Sequence, residues 1–113
     1  MKHIKAFIRP EKLDEVKLAL VSIAINGLTV STVQGFSRQF GNQEVCRGVK
    51  VDARLVPKIM LEVVVNDEKV DLVILTILSS ATTGQVGDGK IIMSDINGAI
   101  RIRTNKRGVN VVA

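Results

Sequence analysis

The sequence is poor in aromatic residues, which make up 3% of its 113 residues and include neither tryptophan nor tyrosine. Hydrophobic residues still reach 46%, so the core must be aliphatic. RNA-recognition modules stack bases on aromatic side chains of their central strands. The phenylalanines here, Phe7, Phe36 and Phe40, do not form that pattern, and we expect no nucleic acid partner.

Cysteine and long apolar runs are also scarce. The single cysteine, Cys46, cannot form an internal disulfide, which favours a reducing compartment. The longest uncharged apolar stretch, residues 72–81, is far shorter than the roughly 20 residues that a membrane span needs. The first residues alternate at once and lack the apolar core of a signal peptide. We therefore expect a cytoplasmic protein that does not insert into a membrane.

Combinations of residues that carry catalysis are missing as well. His3 is the only histidine and is interpreted as a surface residue of a strand. Cys46 has no second cysteine or histidine nearby in sequence, and no spacing suits a metal ion. Neither a nucleophile elbow nor an acid–base pair is recognisable. The sequence predicts that the chain is not an enzyme.

The chain is basic, with a net charge of +5 and an isoelectric point of about 9.7. This balance suits RNA, acidic membrane surfaces or phosphate-bearing small molecules. Basic residues gather near the end of the chain, at Lys90, Arg101, Arg103, Lys106 and Arg107. Composition alone leaves open whether they form a solvated edge or an anion site.

Two strand–helix–strand units follow each other along the chain. Residues 2–9 and 28–36 read as strands on either side of a helix, and residues 58–65 and 90–96 enclose a second one. The sequence EKLDEV at residues 11–16 also matches EKVDLV at 68–73. We predict an α+β protein, a single domain over residues 1–113, with the ferredoxin-like βαββαβ fold.

Local signals predict where the helices begin and end. Pro10 suits the first helical position, and Asn26-Gly27 is typical of a helix end. Asn66 can cap the second helix through its side chain.

Two segments do not fit the pattern of the core. Residues 37–56 form a polar connection of a length that is usually functional or disordered. The second segment, TGQVGDGK at residues 83–90, is either an ordinary glycine-rich turn or a nest of backbone N–H groups that binds an anion. It is not a Walker sequence, because Lys90 begins a strand and not a helix.

Charged residues of the predicted strands offer further contacts. Arg101 and Arg103 are two apart, so in a strand both would project from one face, where a phosphate suits them. Glu62 lies within an apolar strand and either faces solvent or accepts a hydrogen bond from a donor such as an exocyclic amine.

Several stretches, taken in order, resemble the PII signal-transduction proteins along essentially the whole chain. They are IRP at 8–10 with LDEV at 13–16, GFSRQ at 35–39, RG at 47–48, LVPK at 55–58, TGQVGDGK at 83–90 and RIR at 101–103. The resemblance implies a barrel-like homotrimer with a nucleotide site in each cleft between subunits. It also implies a T-loop at about 37–56, a B-loop at about 82–90 and a C-loop at about 101–108.

The resemblance further implies that the protein binds ATP or ADP competitively, and 2-oxoglutarate when Mg²⁺-ATP is present. By position, the nucleotide site would comprise Thr29, Gly35, Ser37, Arg38, Glu62, Val64, Gly87, Asp88, Gly89, Lys90, Arg101 and Arg103. Within it, Thr29, Glu62 and Val64 would line the adenine pocket. Gln39 would ligate Mg²⁺ and also bind 2-oxoglutarate, and Lys58 would pair with a carboxylate of 2-oxoglutarate.

The T-loop would carry the output of the protein. Arg47 lies where relatives insert an arginine into the mouth of an ammonium channel. The implied partner is such a channel or a biosynthetic enzyme of nitrogen metabolism, whereas a solvated Arg47 without a specific contact is the alternative.

Other positions depart from the family pattern. Val51 and Val49 stand where relatives have a modifiable tyrosine and, in some members, a serine, so covalent modification there is chemically impossible. Ser37 replaces a usual glycine, Thr82 a usual arginine and Ile92 a usual aromatic residue. These changes leave a second hypothesis open, in which a degenerate relative with weak or no ligand binding acts only through protein–protein contacts.

Overall fold

The structure is a computed structural model that describes residues 1–36 and 54–108. Its strands and helices follow in the order β1 (Lys2–Ile8), α1 (Leu13–Ser22), β2 (Thr29–Gly35), β3 (Val56–Val65), α2 (Val70–Ala81) and β4 (Lys90–Asp95). A single 3-10 turn precedes each helix, Pro10–Lys12 before α1 and Asp67–Lys69 before α2.

The strands form one sheet in the order β2-β3-β1-β4, and every neighbouring pair is antiparallel. Consequently β1 runs parallel to β2 with β3 between them, and β3 runs parallel to β4 with β1 between them. Each helix thus connects two parallel strands, as a strand–helix–strand unit requires. The arrangement confirms the predicted ferredoxin-like βαββαβ fold.

Alternate side chains of the two central strands are buried against the helices, because successive residues of a strand point to opposite faces. The core consists of Ile4, Ala6, Ile8, Val16, Leu20, Ile25, Ile59, Leu61, Val63, Val65, Val70, Val73, Ile77 and Ala81. It is aliphatic, as predicted, and no polar side chain is buried in the part of the chain that the structure describes. The helices cover only this face of the sheet, and we call the other one the open face.

Helix α1 ends earlier than predicted, at Ser22 and not at Asn26-Gly27. The reversal occurs at Ala24, whose φ is 69°. The Ile25 N–H donates to the Leu20 carbonyl at 3.0 Å, and the Ala24 N–H donates to the Val21 carbonyl at 2.9 Å. This pair of bonds is the Schellman motif. Burial of Ile25 in the core accounts for the early end, because the chain must turn inward at this point.

Other boundaries also differ from the predictions. Asn66 does not cap α2, since its side chain makes no capping hydrogen bond and a 3-10 turn separates it from the helix. The strand predicted at 58–65 begins already at Val56, inside the range expected for the T-loop. The flanking strands β2 and β4 are slightly shorter than predicted.

Candidate functional site

The open face of the sheet brings together the residues predicted for the adenine pocket. Glu62 of β3 lies directly opposite Thr29 of β2 on one side and Lys5 of β1 on the other. Val64 follows two residues later on the same face of β3, where His3 is its partner across the β1–β3 pair. Sequence patterns predicted the strands, but only the register shows that these residues are neighbours.

Further along this face lie other residues of the predicted site. Lys58 of β3 pairs with Val33 of β2, close to the end of that strand at Gly35. Gly35 itself lies against the Lys58 side chain, because a Cβ built at Gly35 would be 3.6 Å from Lys58 Cγ. Lys90 begins β4 opposite Phe7 and is exposed. The sheet thus presents two lysines beside the loop that joins α2 to β4.

Asp88 fixes the shape of that loop, residues 82–89. Its carboxylate accepts hydrogen bonds from the Thr83 and Gly84 N–H groups, both at 2.8 Å, and from the Thr83 hydroxyl. It also accepts one from Arg9 Nε at 2.9 Å. The Thr83 hydroxyl, followed by Arg9, holds the pKa of the Asp88 carboxyl well below its usual range. The Asp88 carboxylate therefore serves the loop itself, and a contact of Asp88 with a nucleotide stays a prediction.

Gly89 is required at its position by both space and backbone. Its φ is 99°, and a Cβ built on it would lie 1.7 Å from the carbonyl oxygen of Phe7. Any side chain would therefore push the loop away from the end of β1.

Two cationic side chains meet at Gly87, whose φ is 102°. Arg9 Nη2 donates to the Val86 carbonyl at 2.8 Å, and Lys58 Nζ donates to the Gly87 carbonyl. A Cβ built at Gly87 would lie 3.3 Å from Arg9 Nη2 and 3.6 Å from Lys58 Nζ. We call Arg9, Lys58 and loop 82–89 the cationic corner.

Sequence reasoning missed Arg9 as a member of this group. The sequence predicts Arg9 only as a residue of the first strand and as part of IRP at 8–10, and its contacts with Asp88 and Val86 span more than two thirds of the chain. One feature of the sequence could have indicated Arg9: it is a basic residue that immediately follows Ile8, the last buried position of the strand. Such a residue lies at the end of its strand, where the connecting loops meet.

The predicted arrangement of Arg101 and Arg103 is wrong. Residues 102–104 form a turn and not a strand, closed by the Arg101 N–H bond to the Lys106 carbonyl at 2.8 Å. Asn105, with a φ of 59°, donates its N–H to the Arg101 carbonyl at 2.7 Å. Asparagine tolerates this left-handed conformation, which explains the turn. Both arginines are exposed, and because they do not lie in a strand, alternation does not direct their side chains to one face.

Several predicted residues lie outside the described part of the chain: Ser37, Arg38, Gln39, Arg47, Val49 and Val51. The Mg²⁺ ligand and the partner contact therefore stay predictions. Within residues 1–36 and 54–108, no cluster of three or more histidine, cysteine, aspartate or glutamate side chains could hold a metal ion. None of the helices described there is long and apolar enough to cross a membrane.

Fold and site together define a class: a small ferredoxin-like α+β protein with a glycine-rich loop, fixed by an aspartate and flanked by two cations. A sequence model of the family "Nitrogen regulatory protein P-II" matches residues 1–106. The chain belongs to this family, as the resemblance predicted, and membership implies a role in nitrogen regulation.

Curated relatives agree with this assignment. The chain is 47% identical over 112 residues to "Nitrogen regulatory protein P-II" of Nostoc punctiforme, covering 99% of this chain and 100% of the relative. It is 50% identical over 112 residues to "Nitrogen regulatory protein P-II 2" of Methanothermobacter thermautotrophicus, covering 99% and 97%. The protein of that family from Synechocystis is 45% identical over 112 residues, with 99% and 100% covered.

Proposed function

We propose that this chain is a nucleotide-binding signal-transduction protein of nitrogen metabolism. It binds ATP or ADP competitively and, together with Mg²⁺-ATP, 2-oxoglutarate. The observation that carries the proposal is the cationic corner, where Arg9 and Lys58 meet at Gly87 at one end of the open face. At the other end of that face lie Thr29, Glu62 and Val64.

The spacing of these groups supports an extended ligand. Glu62 and Lys58 are four residues apart on one face of β3, which corresponds to ~13 Å along the strand. Glu62 offers a carboxylate to a hydrogen-bond donor such as an amino group of a base. Lys58, Lys90 and Arg9 offer positive charge to phosphates or carboxylates. A nucleotide has its base and its phosphates separated in this manner.

The cationic corner also fits a second, carboxylate-bearing ligand. Arginine binds a carboxylate through paired hydrogen bonds, while lysine acts as a point charge. Both cations now hold loop carbonyls, so an anion would take over the bonds of Lys58 and Arg9 with Gly87 and Val86. Gln39 would offer its side-chain oxygen to Mg²⁺, a hard cation that prefers oxygen ligands.

The output of the protein is assigned to the T-loop at about 37–56. Ligands shift the populations of loop conformations in proportion to their differential affinity for them, and each conformation admits different targets. Arg47 contacts the target, which is an ammonium channel or a biosynthetic enzyme. Val49 and Val51 carry no hydroxyl group, so the switch works without covalent modification at these positions. On this proposal the protein is a cytoplasmic homotrimer and not an enzyme.

Calorimetry tests the proposal directly. ATP is titrated into the wild-type protein with and without Mg²⁺, and 2-oxoglutarate is then titrated into each mixture. We expect ATP binding in the micromolar range, and 2-oxoglutarate binding only where both ATP and Mg²⁺ are present. Nucleotide binding without 2-oxoglutarate binding would leave an energy sensor. No heat and no shift of the melting temperature with any nucleotide would leave the protein–protein scaffold.

A charge-removing variant separates the two ligands. Lys58→Met should abolish 2-oxoglutarate binding and retain most of the ATP affinity, because its ammonium group lies at the cationic corner. Lys17→Met is the matched control, since Lys17 lies on α1 with half of its side chain exposed and its ammonium group 3.9 Å from an Asp14 oxygen. Equal 2-oxoglutarate binding by both variants would contradict the assignment of Lys58.

A further inference from the structure

The single histidine contacts the carboxylate that the proposed function assigns to the base. His3 Nε2 lies 3.1 Å from Glu62 Oε2, and both side chains are 27% exposed. The two residues are diagonal neighbours on the open face, because His3 is paired with Val64 and Glu62 with Lys5. The sequence interpretation of His3 as an ordinary surface residue of a strand therefore omits its principal contact.

We propose that His3 is a positioning residue for Glu62, and that it makes the preference for a 6-amino purine nucleotide dependent on pH. This inference rests on the proposed function, in which Glu62 accepts a hydrogen bond from the base. A carboxylate has two acceptor oxygens. The bond with His3 occupies Oε2 and fixes the orientation of the group, so that Oε1 is presented to the ligand.

The chemistry of the base explains why this orientation matters. A 6-amino purine such as adenine offers a donor at C6, whereas a 6-oxo purine such as hypoxanthine places an acceptor there. A site that accepts a hydrogen bond from the ligand discriminates strongly against an analogue that lacks the donor. ATP and ITP differ only on this edge of the base, where the 6-amino group and the N1 acceptor of adenine are replaced by a 6-oxo group and an N1–H donor. The ratio of their affinities therefore measures contacts with this edge and no contact with the phosphates.

Histidine is the side-chain type that ordinarily changes its charge between pH 5 and 8. The other groups around Glu62 on the open face are Lys5 opposite it on β1, Thr29 opposite it on β2 and Lys58 further along β3. On β4, Ser94 is the partner of His3 and Ile92 the partner of Lys5. Among the neighbours from these strands, His3 is the only histidine.

The sign of the effect follows from the charge of the imidazole. A protonated His3 attracts the Glu62 carboxylate and partly neutralises it, which makes it a weaker acceptor for the amino group. Partly exposed pairs of this kind contribute ~0.2–1 kcal/mol, so the ATP-to-ITP affinity ratio should fall about 1.4- to fivefold from pH 8 to pH 6. Titration of the phosphates affects both nucleotides alike and cancels in the ratio.

Two variants isolate the role of His3. His3→Gln keeps a neutral hydrogen-bond donor, and we expect a ratio near the wild-type value at pH 8 that no longer changes with pH. His3→Ala removes the donor, and we expect a ratio about threefold lower at pH 8 with an unchanged ITP affinity. A loss that is merely structural would lower the affinities for ATP and ITP together. Melting temperatures, measured alongside, establish that both variants are folded.

The measurement is the affinity of the full chain for ATP and for ITP at pH 6, 7 and 8, for wild type and both variants. A wild-type ratio that falls with decreasing pH, together with a constant ratio in His3→Gln, supports the inference. If ATP binds and the ATP-to-ITP affinity ratio depends on pH in the same way in wild type and His3→Gln, this inference is overturned and the proposed function is unaffected. Binding of neither nucleotide at any pH overturns the proposed function and this inference with it.

Discussion

Ala24 adopts a backbone conformation that suits glycine better than alanine. Its φ of 69° is the left-handed conformation, which costs an L-residue roughly 1–2 kcal/mol. Glycine avoids this cost but loses more conformational entropy on folding, typically ~0.5–1 kcal/mol. We therefore expect Ala24→Gly to raise the free energy of unfolding by roughly 0.5–1 kcal/mol, measured by urea denaturation at fixed protein concentration.

The control for this change is Ala19→Gly, within helix α1. There the glycine gains nothing from left-handed freedom, and it should lower the stability by ~1 kcal/mol. A higher stability of Ala24→Gly together with a lower stability of Ala19→Gly would support the Schellman motif at the end of α1. A loss of stability in both variants would contradict it.

At Gly89 the space for a side chain is limiting. The Cβ of Gly89→Ala would lie 1.7 Å from the Phe7 carbonyl oxygen, and the backbone must also keep its φ of 99°. Crowding and the left-handed backbone together should lower the free energy of unfolding by roughly 2–4 kcal/mol. Gly27→Ala is the matched control, because nothing lies within 4 Å of its Cβ position. Equal unfolding curves for the two variants would show that loop 82–89 moves away from the end of β1 without a loss of stability.

At the scale of an element, loop 82–89 depends on the Asp88 carboxylate. Asp88→Asn loses the charge that accepts hydrogen bonds from Thr83, Gly84 and Arg9. The loop should then open locally, and the Thr83 and Gly84 amides should exchange with solvent at least about tenfold faster. Hydrogen exchange read by NMR measures this change. Asp14→Asn, at an exposed carboxylate of α1, should leave those amides unchanged.

Acid should have the same effect on the wild-type loop. The pKa of Asp88 is lower in the folded protein than in the unfolded chain, so its stabilising contribution is complete above the ordinary aspartate pKa of ~3.9. The contribution is lost progressively as the pH falls below that value. We expect exchange at Thr83 in the wild type to approach that of Asp88→Asn only in this acid range. Convergence of the two proteins near neutral pH would contradict the prediction.

The elements themselves were largely predictable, because each is built from local repetition. Alternation in residues 2–9 and helical spacing in 70–77 identify strand and helix wherever one face is buried. The end of α1 was not predictable from Asn26-Gly27, since the turn is set by the burial of Ile25. Residues 101–103 alternate like a strand, yet among the residues that the structure describes no strand pairs with them over their length, and the local turn is formed instead.

The candidate site was predictable only in part, because it depends on tertiary contacts. Family resemblance identified Lys58 and loop 82–90, which carry recognisable sequence patterns. The contacts of Arg9 with Asp88 and of His3 with Glu62 join residues that are far apart in sequence. Such contacts follow from strand register, and a register shift of one residue would move every side chain to the other face. Only the folded sheet shows them.

At the scale of the whole molecule, the apolar surface of one chain is informative. Ile102 is 98% exposed, and Ile100 and Ile92 are exposed as well. Large exposed apolar groups often mark sites of protein–protein contact. In the predicted trimer the nucleotide site lies in the cleft between subunits, so the open face and the C-loop at about 101–108 would belong to the interface.

Ile102 therefore offers a direct test of the predicted trimer. Its side chain contributes almost nothing to the packing of one chain, so Ile102→Asp should not destabilise a monomer. In a trimer it would place a charge in an apolar contact, and we expect dissociation at micromolar concentration. The control is Leu18→Asp, at a residue that is 70% exposed on α1, on the opposite side of the sheet from the open face.

Sedimentation equilibrium decides between the two states of the molecule. Wild type and Leu18→Asp should show three times the chain mass of 12.3 kDa, while Ile102→Asp should show a lower, concentration-dependent mass. A wild-type protein with the mass of one chain would contradict the trimer. If Ile102→Asp is still a trimer, the C-loop does not lie in the interface. An unpaired aspartate that loses its water is costly, so it would weaken an interface that buried it.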